Sequence, residues 1–344
     1  MTGLHAALRE MDAMTTQTLP APCVSIVIPA YRASGDIGAA LDSVFAQNFS
    51  DFEVIVINDG SPDTLELEAA LAPYATCIRY MVQENLGAGG ARNAGIAASR
   101  GRYIALLDAD DRWTPDFLRR QIRYLNAHPE CDLVYCDALV SGESLLAGRR
   151  FMDTAPSAGA VTLLSLIGQE CNIILSTVVV RREPIVAAGM FDETLRRGQD
   201  FDLWLRLALR GATIHYQRDV LAERRVRADG LSGDPIAELQ RALAVLDRFG
   251  RTHDLATQVR TALRVRMMTL VDRLEIEQAK RRILEGNFAA ARYHLAVPRR
   301  QPAKLRIVRL ALHVAPRLLR AAWIRLRPPI WTAKPRPAVS DGYV

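Results

Sequence analysis

Lysine is nearly missing from this chain of 344 residues, which has only Lys280, Lys304 and Lys334. None stands in a Gly-Lys-Ser or Gly-Lys-Thr run, so a phosphate-loop nucleotidase, whose lysine must reach the outer phosphates, is excluded. A sugar-phosphate nucleotidylyltransferase also needs a lysine and a glycine-rich first loop, and that loop is absent too. No Gly-x-Gly-x-x-Gly follows the first strand-like run, where Pro29, Ala30, Tyr31 and Arg32 stand instead, so a plain dinucleotide fold is not indicated. Cysteine is scarce. Cys23, Cys77, Cys131, Cys136 and Cys171 form no Cys-x-x-Cys pair, which argues against a zinc site or a disulfide framework. They read as reduced core thiols, with Cys131 and Cys136 on opposite faces of one strand. No run of about 18 uncharged apolar residues exists, so no membrane-spanning helix is expected. The first twenty residues hold Glu10 and Asp12 and no unbroken apolar core, so no secretory signal is expected.

A net positive charge is missing from most of the chain. Residues 301–344 carry nine basic residues against the single acid Asp341, so the remaining 300 net about −2 while the whole is +6. A nucleic-acid-binding body would place its basic patch on the folded domain, so no nucleic-acid partner is expected.

The N-terminal half has a regular pattern. Apolar runs at residues 23–28, 52–57, 77–82 and 103–107 read as strands. Between them lie helical stretches: one capped by Ser34 with Ile37, Leu41, Val44 and Phe45 at helical spacing, one at 64–72, and a glycine-rich one at 87–99. Pro29 is expected to stop the first strand. Strand and helix alternating over short loops give a mostly parallel sheet with helices on both faces, whose ligand sits beyond the carboxyl ends of the strands. At one such end, Asp108, Asp110 and Asp111 crowd three carboxylates into four residues. Clustered acids repel and are costly to desolvate, and hard oxygen ligands suit Mg²⁺ or Mn²⁺. The alternative is that they cap the helix opening near Thr114.

Four motifs stand in order: Val-Ser-Ile-Val-Ile-Pro-Ala-Tyr at 24–31, Val-Ile-Val-Ile-Asn-Asp-Gly-Ser at 54–61, Asn-Leu-Gly at 85–87 with Ala-Arg-Asn-Ala-Gly at 91–95, and Leu-Asp-Ala-Asp-Asp at 107–111. Together they closely resemble the family 2 glycosyltransferases of GT-A fold, over roughly residues 22–235. The resemblance implies a nucleotide-sugar-dependent, metal-dependent, inverting transferase. By it, Pro29, Ala30 and Tyr31 lie against the nucleobase and ribose, with Tyr31 offering a stacking face. Asp59 accepts from the base N–H, Arg92 helps hold the nucleotide, Asp108 contacts ribose or metal, and Asp110 is the direct metal ligand. A uridine donor is implied by the resemblance alone. The alternatives are ordinary packing for Tyr31, a turn former for Asp59 and a surface ion pair for Arg92.

The second half of this region is less regular. Strands are expected at 132–138, 176–180 and 213–217, with short helices at 161–167 and 182–188. Residues 199–207, Gln-Asp-Phe-Asp-Leu-Trp-Leu-Arg-Leu, open a helix with Phe201, Trp204, Leu205 and Ala208 on one face. They resemble the family's Glu-Asp-x-Asp-Leu-Trp-Leu-Arg element, which makes Asp200 the general base; Gln199 departs from that pattern. Asp202 suits the role of helix-capping acid. Where family members often have a histidine near the diphosphate, Arg227 stands here, and arginine clamps phosphate without ligating metal. Arg227 on the diphosphate and a solvated basic loop are the two readings.

From residue 234 the pattern turns helical, at 237–249, 257–284 and a hairpin around Gly286. In residues 304–326 a stripe of Arg306, Arg309, His313, Arg317 and Arg320 lies opposite Leu305, Val308, Leu312, Ala315, Leu319, Trp323 and Leu326, with a kink expected at Pro316. A basic amphipathic helix of this kind reads as an anchor on anionic lipid, or else as a helix packed on the catalytic domain with its arginines in solvent. The expectation is therefore an α/β GT-A fold at 22–235 with a flexible lead-in at 1–21, a helical extension at 236–300 and a basic, partly disordered tail at 301–344. Its function would be sugar transfer from a nucleotide-sugar donor to a glycan or lipid-linked acceptor, peripheral on the cytoplasmic face of the membrane. The alternatives are a non-catalytic nucleotide-sugar-binding module and a scaffold with a vestigial transferase domain.

Overall fold

The computed structural model describes residues 21–144, 146–226, 234–298 and 303–325. The chain divides into two compact units, the second formed by residues 142–147 and everything from 226 onward. In the first unit come β1 (Val24–Ala30), α1 (Ile37–Phe45), β2 (Phe52–Asp59), α2 (Thr64–Leu71), β3 (Ile78–Gln83), α3 (Gly87–Ala98) and β4 (Tyr103–Leu106). They are followed by β5 (Arg112–Trp113), α4 (Phe117–Ala127), β6 (Leu133–Gly142), α5 (Leu163–Gly168), β7 (Val179–Arg181), α6 (Arg182–Ala187), α7 (Gln199–Leu209) and β8 (Ile214–Val226).

All eight strands form one sheet in the order β3-β2-β1-β4-β7-β6-β8-β5. The parallel part is the β3-β2-β1-β4 half that the βαβ pattern describes; β7 then pairs antiparallel to both β4 and β6, and β5 antiparallel to β8. Helices cover both faces, so the central strands are apolar on both sides. Val24, Ile26, Val27 and Ile28 of β1 and Ile55, Val56 and Ile57 of β2 are fully buried. Helix α3 lies so close to β1 and β2 that a side chain on Gly95 would fall 2.5 Å from Val27 Cγ1 and 2.7 Å from Ile57 Cδ1.

Several expectations are corrected. β1 does not stop at Pro29 but continues to Ala30, paired with β2 throughout. Val27 faces β4, accepting from Leu107 N at 3.2 Å, so by strand alternation Pro29 turns its missing N–H to the same side, beyond the last β1–β4 pair at Val27 and Leu106. No ladder bond is lost. Ser34 does not cap α1, which begins after Asp36; its N–H donates instead to Asp63 Oδ2 at 3.1 Å. The strand expected at 176–180 begins only at Val179, as the three-residue β7; Ser176 and Thr177 belong instead to a 3₁₀ turn, Leu175–Thr177. The strand expected at 213–217 runs thirteen residues, to Val226. Cys131 precedes β6 rather than lying on it, and only Cys131, Cys136 and Cys171 are buried; Cys77 is exposed and Cys23 half-buried.

Helix α7 is not one-sided either: Asp202, Leu203, Trp204, Leu205 and Leu207 are all buried. Its first-turn acid Asp202 pairs with Arg206 one turn on, at 2.7 Å, and the Arg206 guanidinium also donates to the carbonyls of Ala188 (2.5 Å) and Met190 (2.7 Å). This pair ties α7 to the turn after α6.

The second unit is helical: α8 (Pro235–Thr252), α9 (Thr257–Glu285), α10 (Phe288–Ala296), α11 (Ala303–Val314) and α12 (Pro316–Arg325). Gly286, left-handed at φ 80°, ends α9, and Asn287 caps α10 by accepting from Ala290 N at 3.1 Å. Ala279, Ile283, Ala291, Leu295, Leu305 and Leu312 form its core, with Val308, Leu319 and Trp323 packed against it. The apolar stripe of the C-terminal helices is thus turned inward. The helix breaks at Pro316, whose ring cannot continue the preceding ladder.

Two outcomes test this packing. Gly95→Ala should cost about 1–3 kcal/mol by overpacking; Gly38→Ala in α1, where nothing lies within 4 Å of an added Cβ, should instead gain about 0.4–1 kcal/mol. Urea denaturation of the two variants reads both signs. Separately, Arg206→Met strands the buried Asp202 and should lower stability by about 3–5 kcal/mol in the same measurement.

Candidate active site

The loops after β1 and β2 are joined at the carboxyl edge of the parallel half. Asn58 is fully buried and donates through Nδ2 to Thr64 Oγ1 (2.9 Å) and Tyr80 OH (2.8 Å), while its Oδ1 accepts from Ser61 N (2.8 Å). Ser61 Oγ accepts from Arg32 N at 2.7 Å and donates to Asp63 Oδ1. Burial works to raise the Asp63 carboxyl, yet donation from Ser61 and Ser34 outweighs it and holds the group below its usual range. Asn58, Ser61 and Asp63 are the structural clip that sequence reasoning passed over as a turn.

The clip presents Tyr31 and Asp59. Pro29 and Ala30 end β1, and Tyr31 follows, 39% exposed as a residue, with the Arg32 guanidinium 5.6 Å from its ring centroid. A buried packing role does not fit that exposure. Asp59 is buried at the end of β2, its Oδ1 accepting from Gln83 Nε2 (2.8 Å) and Leu86 N (2.9 Å). Its backbone route depends on Gly60, with φ 61° and Asn85 N only 2.8 Å from where a Cβ would stand.

Arg92 is not a surface residue. It is buried on α3, its Nη2 2.5 Å from Asp108 Oδ1 and its guanidinium 5.4 Å from the Phe191 ring, while its buried Nε has no hydrogen-bond partner. Asp108 N donates to Ser176 Oγ at 3.1 Å, and the Asp108 carboxylate remains one-third exposed. Asp110 is half-buried. Asp111 is buried and accepts from Arg225 N at 2.8 Å; burial first, then the charges of Asp108 and Asp110, push its carboxyl up to about 8. Capping of α4 does not explain these acids, since Asp116 holds the N-cap position and takes Asn48 Nδ2 at 2.7 Å.

The acids fit a hard divalent cation by chemistry: all are carboxylates, and their mutual repulsion is relieved by positive charge. Among the described residues no three His, Cys, Asp or Glu side chains converge as a complete cage. Such an ion would keep positions for phosphate oxygens and water, as Mg²⁺ commonly does.

Asp200 is linked to α3 through its chain neighbours. It lies half-buried in the first turn of α7, after Gly198 in the left-handed region. The bare surface of Gly89 faces Gln199 Cγ, 3.3 Å from the position of a Cβ. Asn93, buried one residue after Arg92, accepts from Phe191 N (2.9 Å) and donates to Phe191 O (2.8 Å) and Glu193 Oε1 (2.8 Å). One helix therefore pairs with Asp108 and holds the segment leading to Asp200. Arg227 lies outside the described residues. Arg225, on β8 and not singled out by the sequence, contacts Asp36 through its guanidinium and Asp111 through its backbone N–H.

Residues 25–156 match Glycosyl transferase family 2. An uncharacterized glycosyltransferase of Rickettsia prowazekii, RP339, is 30% identical over 231 residues, 65% of this chain and 70% of the relative. The Escherichia coli UDP-Glc:alpha-D-GlcNAc-diphosphoundecaprenol beta-1,3-glucosyltransferase WfaP is 28% identical, over 66% of this chain and 86% of its own. Among solved structures, the Pyrobaculum calidifontis mannosyltransferase PcManGT, in complex with GDP-Man and Mn²⁺, superposes with a TM-score of 0.59 at 18% identity, over 92% of this chain and 91% of the other. That likeness shows the fold, a GT-A arrangement of the mixed sheet and its helices. By motif, by sequence relatives and by fold, the chain belongs to glycosyltransferase family 2 and is a sugar-transferring enzyme.

Proposed function

We propose that this enzyme is an inverting glycosyltransferase that moves a sugar from a nucleotide sugar, of UDP type, to a glycan or lipid-linked acceptor in cell-envelope polysaccharide synthesis. The observation that carries the reading is α3, which pairs Arg92 with Asp108 at the strand ends and, through Asn93, holds the segment entering α7 and Asp200. Tyr31, part-exposed after Pro29 and Ala30, is assigned to stack on the base, and Asp59 offers a carboxylate for a base N–H. WfaP carries UDP-Glc and a diphosphoundecaprenol-linked acceptor in its name, which supports the donor type and the acceptor class proposed here.

In this mechanism Asp200 takes the proton of the acceptor hydroxyl as its oxygen attacks the anomeric carbon, and the nucleoside diphosphate leaves from the opposite face. One displacement inverts that centre without a sugar–enzyme bond. When bound, Mg²⁺ or Mn²⁺ supplies charge neutralisation at the leaving diphosphate. Asp110 would hold the ion, Asp108 would contact it or the ribose, and Arg92 orients Asp108. Arg227 is assigned to the diphosphate by its sequence position. The domain at 22–235 carries the transfer, the helices at 236–300 extend it, and the tail at 301–344 places the enzyme on the cytoplasmic face of the membrane.

Thermal unfolding with UDP, GDP, dTDP and CMP, with and without Mn²⁺, tests the donor site. A cognate nucleotide at 100 times its Kd should add about 2.7 kcal/mol, and Asp110→Ala should abolish the Mn²⁺-dependent part; no stabilisation by any nucleotide would sink the reading. With the cognate nucleotide sugar, Asp200→Asn should lower the rate of nucleoside diphosphate release to acceptor by about 10²–10⁴ while leaving nucleotide stabilisation unchanged. An unaltered rate would remove Asp200 as the base.

A further inference from the structure

The sequence pattern selects Leu305, Val308, Leu312, Leu319 and Trp323 as the face that α11 and α12 would offer to a membrane. The fold spends that face on the helical core. Arg320, of the basic stripe, is also engaged, donating through Nε to Leu284 O at 2.8 Å. What remains outside is a second apolar row. On α11, Ile307, Leu310 and Val314 succeed one another at three- and four-residue steps, α12 adds Leu318 and Ile324 after the break, and all five are at least 49% exposed. Five large apolar side chains left in water on two short helices are a patch rather than scattered surface residues.

The charge of the same surface names the occupant. Arg306, Arg317 and Arg325 are exposed beside this row, and α11 and α12 contain no acidic residue. Arg299, Arg300, Arg327, Lys334 and Arg336 extend the bias on both sides in the sequence. A protein partner or second copy would have to answer a face with no carboxylate of its own. A bilayer rich in anionic headgroups supplies negative charge together with an apolar layer about 5–10 Å below it. We propose that the outward row Ile307, Leu310, Val314, Leu318 and Ile324, flanked by Arg306, Arg317 and Arg325, is the contact surface for an anionic lipid bilayer. The apolar side chains enter the acyl boundary while the guanidinium groups stay at the phosphates. This deepens the membrane-peripheral part of the functional reading by assigning it to the face opposite the one that periodicity suggests.

The test is flotation of the full chain with vesicles of phosphatidylcholine alone or mixed with phosphatidylglycerol, at low and high salt. Binding should require phosphatidylglycerol and weaken with salt, and each of Arg306→Gln and Arg317→Gln should reduce the bound fraction about fivefold. Ile307→Ser with Leu310→Ser should abolish binding while keeping the wild-type thermal melt, because both side chains are already in water. The inward Leu312→Ser should lower the melt instead. Binding indifferent to lipid charge, or unchanged by the outward serines, overturns the proposal. So does a wild-type dimer in light scattering that the outward serines dissociate, which would give the face to a second copy. Nucleotide stabilisation is read separately, so a failed donor site and a failed membrane face are distinguishable.

Discussion

Three carboxylates on four consecutive residues at the end of a buried strand are the constraint on which the site depends. Burial first, and then the charges of Asp108 and Asp110, push the carboxyl of Asp111, the most deeply buried of the three, up to about 8. The surrounding structure answers each acid differently. Asp108 has a buried arginine, Asp111 a backbone N–H from β8, and Asp110 stays half-buried at the mouth. Under the proposed function, a bound divalent cation would relieve the repulsion among these acids.

Arg92 makes the compensation specific. A guanidinium buried against an aromatic ring and a carboxylate is oriented by both, and its position on α3 couples the acid cluster to everything else α3 touches. Gly95 lets that helix sink onto β1 and β2, Gly89 leaves room for Gln199, and Asn93 reads the backbone of Phe191 in both directions. Small residues in α3 weaken it as an isolated helix but allow three separate close approaches. Helix α3 is thereby tied to β1, β2 and the segment entering α7 through close approaches at its glycines and the short side chain of Asn93.

The helical unit uses its apolar residues twice. One row builds its core, and the other is left outside among arginines. A single helical pattern of apolar and basic residues cannot distinguish these uses, since both rows recur at three- and four-residue steps and only the neighbours of the helix decide which is covered.

Much of the transferase fold was legible in the chain. The four apolar runs and their helical spacers implied the parallel half-sheet, because a strand buried on both faces has to be apolar throughout and a parallel neighbour has to be reached by a crossover. Polar turns after β1, β2 and β4 could be assigned to one edge for the same reason, and Asp59, Asp108 and Asp110 with them. Tertiary structure alone decided what is set by contacts distant in sequence: the burial of Arg92, which requires Asp108 and Phe191; the Asn58–Ser61–Asp63 clip; the continuation of β1 through Pro29, harmless only because β4 has already ended; and the thirteen-residue β8, which brings Arg225 to Asp111. Local periodicity records which residues avoid water, but which partner covers them depends on where the rest of the chain returns.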